Sequence, residues 1–123
     1  MSHISVSLRV ARSPHAFCIP KAVWLLGHRY EVVWVEDLLE SADAVGESLY
    51  RKQQIRLQCP SIGFQRPQSQ CEHTFLHELL HCILHELGEQ DLRENDKLID
   101  LMSGLLHQAL TLAEFDDDDS RTD

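Results

Sequence analysis

The chain has 123 residues, 43% of them hydrophobic, a size and composition that fit one packed domain and exclude wholesale disorder. Its formal charge of −9 is uneven: the last ten residues, EFDDDDSRTD, hold six acids and one arginine, leaving about −4 on the rest. That balance excludes a broadly basic surface for phosphate backbones, so no nucleic-acid partner is expected.

No apolar run approaches the roughly 18 residues of a membrane span, and no membrane partner is expected. The opening stretch, MSHISVSLRVARSPHAF, carries Arg9 and Arg12 and lacks the continuous apolar region of a secretory signal. Cys18, Cys59, Cys71 and Cys82 form no CxxC pair. They read as buried or incidental thiols in a reducing compartment, which points to the cytoplasm.

In chain order, residues 1–18 alternate weakly before Pro14 and Pro20 and read as a flexible or edge-strand segment. Residues 23–26 and 30–35 are rich in β-branched and aromatic types, and a Gly27-His28 turn between them predicts a hairpin. A short acidic connection, 37–46, follows. SLYRKQQIRLQ (48–58) then reads as one more strand, polar enough for an edge, where 53–58 could pair with an extended peptide. The prolines, glycine and serines of CPSIGFQRPQSQ (59–70) predict a loop.

A long helix is expected from about residue 70 to 87, with Gly88 as its stop. A second runs from Leu92 or Asn95 to Leu112 or Glu114, its apolar positions (Leu98, Ile99, Leu101, Met102, Leu105, Leu106, Ala109, Leu110) recurring at three and four. There are no internal repeats. The predicted class is α+β: a small sheet followed by two antiparallel helices over 19–113, with 114–123 as an acidic disordered tail.

The first long helix carries HTFLHELLHCILHELGE, with histidines at 73, 77, 81 and 85. On a helical wheel with His77 at zero, His81 falls at about 40° and Glu78 at about 100°. This is the HExxH arrangement. Two imidazoles four residues apart can converge on one zinc ion, and the glutamate beside the first can take a proton from zinc-bound water. His85 lies about 12 Å along the axis from His77, too far for both to meet an ion through bonds of about 2 Å. His73 overshoots His81 in the same way, so both are expected at the rim. The third ligand is expected from the next helix, and spacing alone leaves Glu94, Asp96 and Asp100 open, with Asp96 also placed to cap that helix.

The segments IPKAVWLLGHRYEVVWVEDL (19–38), GESLYRKQQIRLQ (46–58) and TFLHELLHCILHELGE…ENDKLIDLMSGLLHQAL (74–110) together resemble small phage and prophage zinc metallopeptidase-like proteins. These are related to the ImmA/IrrE group of the short gluzincins. The resemblance implies a zincin-like minimal domain: a curved sheet, its last strand along the substrate cleft, packed on the HExxH helix and a following antiparallel helix. It implies His77 and His81 as zinc ligands and Glu78 as general base. Its register, with Ile99 and Met102-Ser103 matching the family's apolar and small positions, implies Asp96 as third ligand, where the family usually has glutamate. The implied activity is hydrolysis of a peptide or protein substrate by Glu-assisted attack of zinc-bound water; the sequence marks no clear oxyanion donor, and Tyr50 and His85 are candidates by location alone. The alternatives are a zinc-stabilised regulatory or protein-interaction module without turnover, and a metal-dependent amidohydrolase of a non-peptide substrate. Oligomeric state is left open.

Overall fold

A computed structural model describes residues 18–116. The readings of 1–17 as a flexible or edge-strand segment, and of 117–123 as part of a tail, lie outside the described residues. The elements are β1 (Ala22–Leu25), β2 (His28–Val35), α1 (Leu38–Ala42), β3 (Gly46–Leu49), β4 (Gln54–Gln58), α2 (Gln68–Glu86), α3 (Gln90–Arg93) and α4 (Asp96–Thr111). Together they form a small α+β domain around one four-stranded sheet.

β1 and β2 make the expected antiparallel hairpin, but the turn is Leu26-Gly27, with Leu25 paired to His28. Both turn residues have positive φ, 50° and 84°. That is the primed turn that matches the twist of the flanking strands, and it makes His28 the first residue of β2 rather than part of the turn. Residues 48–58 are not one strand. β3 and β4 form a second antiparallel pair, reversed through Tyr50–Gln53, with Gln53 at φ 55° and its N–H donating to the Tyr50 carbonyl at 3.1 Å.

The strand order β1-β2-β4-β3 overturns a second expectation. β4 lies between β2, which it pairs in parallel, and β3; it is not an edge strand. Gln54 and Arg56 pair with Glu31 and Glu47 near the surface, and only Gln58 is satisfied inside the fold. The buried Gln58 amide donates to the carbonyls of Glu36 and Cys59 and accepts from the Leu39 N–H at the start of α1. The edge beside the long helix is β3.

α2 lies on one face of the sheet. Tyr30, Val32, Ile55 and Leu57 point up from the strands at alternate positions and meet Phe75, Leu76 and Cys82. Cys82 is completely covered, and burial pushes its thiol up to about 12. At the far end of α2, Glu86 accepts from the Tyr30 hydroxyl, and its other oxygen is 2.9 Å from His28 Nδ1. The tyrosine and then the histidine hold its carboxyl below the usual range. This ties the first hairpin to the last turn of the helix.

α2 ends as Gly88 predicts. Gly88 takes φ 73°, its N–H donates to the His85 carbonyl, and the Glu89 N–H reaches back to Leu84, the two bonds of a Schellman stop. The single turn of α3 and the cap at Asn95, which accepts from the Leu98 N–H at 3.1 Å, then send α4 back along α2. Asn95 is the cap, so Asp96 is released from that task. The contacts Glu72–His107, His73–Ser103, His77–Asp100 and His81–Asp96 run in opposite directions along the two helices, which are therefore antiparallel.

The face that α4 turns inward is not its apolar one. Ile99, Ser103 and Thr111 are its buried residues, whereas Leu101, Met102, Leu105, Leu106 and Leu110 are exposed. Residues spaced four apart on the inner stripe meet the polar side of α2, and that register leaves the leucines outside.

Candidate metal centre

Four polar rungs join α2 to α4. At one end the fully buried Glu72 carboxylate lies 2.7 Å from His107 Nε2 and accepts from Gln68 at 2.8 Å. Next, His73 Nε2 is 2.7 Å from Ser103 Oγ and 3.6 Å from Asp100 Oδ1. The third rung sets His77 Nδ1 3.5 Å from the same Asp100 oxygen. The fourth sets His81 Nε2 3.5 Å from Asp96 Oδ1.

At the last two rungs the groups converge. His77 Nε2 and His81 Nε2 are 3.3 Å apart, and one donor atom from each of His77, His81 and Asp96 falls within 4.8 Å of the others. An N–H···O bond prefers 2.7–3.2 Å. Two donors bound to a tetrahedral ion at about 2.0–2.1 Å stand roughly 3.3 Å apart by simple geometry. The His77–His81 and His81–Asp96 gaps, 3.3 and 3.5 Å, lie nearer the second spacing, and the remaining gap is no wider than 4.8 Å. His81 Nδ1 is buried without a hydrogen-bond partner among the described residues, so what holds this ring is whatever Nε2 faces. His77 turns its Nδ1 toward Asp100, the outer-carboxylate arrangement common behind metal-bound imidazoles. Two imidazoles, one exposed carboxylate and an open side make a donor set of the kind that holds zinc.

Glu78 faces the sheet, not the polar seam where the wheel sets it. It is only 8% exposed, on the same face of α2 as Phe75 and Cys82. The Ser48 hydroxyl on β3 donates to its Oε1 at 2.6 Å, and Gly46 passes close to its other oxygen. Burial raises its pKa, opposed by the Ser48 hydrogen bond and by His77 and His81. Beside it opens a cavity of about 230 Å³ lined by Val45, Gly46, His73, Thr74, His77, Glu78 and Asp100. The free edge of β3 borders this cavity.

The other candidates go elsewhere. Glu94 contacts Gln90 and Arg93 at the surface. Asp100 faces the outer nitrogens of His73 and His77. His85 is engaged by Arg93, whose Nη1 donates to its Nδ1 at 2.8 Å, and its ring stacks on Tyr50 with centroids 4.4 Å apart. An arginine only donates, so Nδ1 is the acceptor in this contact. Burial pushes the Tyr50 phenol up to about 12, Arg93 pulling the other way.

Sequence reading missed Gly46, Ser48 and Arg93. The first two stand in GESLY with no motif to mark them; they matter because β3 lands against Glu78, a tertiary fact. No helix among the described residues is long and apolar enough to cross a membrane. Comparison of the chain with protein-family models, with curated proteins and with solved structures gives no match.

Proposed function

We propose that the chain is a zinc-dependent hydrolase of peptide bonds, built as a zincin-like minimal domain. The observation that carries this reading is the convergence of His77, His81 and Asp96, with Glu78 lining the same cavity as His77. Held by His77, His81 and Asp96, a zinc ion would supply a Lewis acid and lower the pKa of a water.

The chain's own residues do the rest. His77 and His81 present Nε2 lone pairs from successive turns of one helix, and Asp96 adds a carboxylate from the next. Ser48 fixes Oε1 of Glu78, leaving Oε2 to accept the proton of the attacking water. As the water oxygen bonds to the carbonyl carbon and the C–N bond breaks, Glu78 returns that proton to the departing nitrogen. A substrate strand pairs with the free edge of β3, which brings its carbonyl past Gly46 into the cavity.

The test measures bound zinc and cleavage of a mixed peptide library by the full chain and by Glu78→Gln. About one zinc per chain is expected in both, with cleavage reduced roughly a hundredfold or more in the variant. A protein that binds no zinc, or a Glu78→Gln variant that cuts as well as the parent, overturns the reading.

A further inference from the structure

The inverted packing of α4 leaves a seam on its outer side. Leu98, Met102, Leu105, Ala109 and Leu112 follow one another at intervals of four, three, four and three. That is the 3.5-residue repeat by which one helix covers another; on α4 it runs about 16 Å from Leu98 to Ala109, with Leu112 at the cap position just beyond. The seam is opposite the stripe that meets α2. Leu105 is 67% exposed, Leu112 53% and the flanking Leu101 58%. With Leu106 the surface comes to on the order of 500 Å² of apolar area, within the range of the largest patch a monomer usually leaves open. With a polar rim it reaches the roughly 800 Å² per partner of a stable interface.

We propose that this seam is a homodimer interface, in which α4 pairs antiparallel with α4 of a second copy about a two-fold axis through Leu105. The order of side chains selects this occupant. Around Leu105, Leu98 meets the partner's Leu112, and Met102 meets the partner's Ala109. Each large residue at this step faces a small one, and Leu105 faces itself. A parallel pair would set Met102 on Met102 and leave Ala109 opposite Ala109, one layer crowded and one hollow. The inference does not rest on the proposed hydrolysis. It concerns the face of α4 turned away from Asp96.

The test is sedimentation velocity of the full chain from about 1 to 200 µM, a range that reads dissociation constants of ordinary dimers. A species of twice the 14.2 kDa chain mass is expected. Leu105→Glu sets two carboxylates face to face on the axis and is expected to give monomer throughout, with unchanged helix content by circular dichroism. Met102→Ala, by leaving a hole, and Ala109→Met, by overfilling, are each expected to weaken the dimer about tenfold or more. The exchange M102A/A109M restores the large-on-small layer and is expected to return the dissociation constant to within about fivefold of the parent. A monomer at the top concentration overturns the proposal, whether the seam is covered by another part of the chain or by another protein. A dimer that survives Leu105→Glu also overturns it, as does an exchange variant no tighter than the single ones.

Discussion

Gly46 is the residue at which backbone and catalytic candidate come closest. A β-carbon added there would stand 2.5 Å from Thr74 Cγ2 and 3.0 Å from Glu78 Oε2. Helix and strand therefore approach only because this position has no side chain. Gly46→Ala is expected to cost about 1–3 kcal/mol by overpacking. It is also expected to turn the Glu78 carboxylate away, lowering hydrolysis about tenfold or more while zinc content holds. Thermal denaturation and a zinc assay on one preparation check both. Adding Thr74→Ser removes the Cγ2 contact and should return part of the stability but not the activity, because the glutamate contact remains. The sequence marks Glu78 through its motif. It does not mark what orients Glu78, because Ser48 and Gly46 lie some thirty positions earlier and meet it only across the sheet–helix interface.

At the scale of elements, legibility follows how local the determining interaction is. The first hairpin, the span of α2 and its Gly88 stop could be read because residue type, period and turn chemistry act over a few neighbours. The β3–β4 reversal could not, since Tyr50–Gln53 contains no Gly, Pro, Asn or Asp and relies on Gln53 at φ 55°. Nor could the parallel pairing of β2 with β4, which joins segments more than twenty residues apart. The outward leucines of α4 were invisible for a further reason: periodicity identifies an apolar face without saying which neighbour it meets. Leu26, at φ 50° in the first turn, is an opposite kind of case, where residue type and backbone disagree. Leu26→Asn, a residue that tolerates the left-handed region, is expected to stabilise the protein by about 0.5–1 kcal/mol. Urea denaturation, with an unchanged slope and a higher midpoint, is the check.

For the molecule as a whole, the arrangement of the third ligand ties metal binding to the integrity of the fold. α4 has few apolar side chains against its own domain, and Asp96 is its first residue. An ion shared by α2 and α4 would therefore do part of the fastening that a hydrophobic face does in other helical pairs. Cys82 turns this into something that can be timed. Its thiol is sealed between α2 and the sheet, one residue beyond His81. Cys18 is exposed by contrast and is expected to label first. Alkylation of Cys82 thus records each departure of the histidine-bearing helix from the strands, a clock already present in the natural chain. Stripping zinc with a chelator is expected to quicken Cys82 modification about tenfold or more, as mass spectrometry of quenched time points would follow. Equal rates with and without zinc would mean that the helix breathes without regard to the ion.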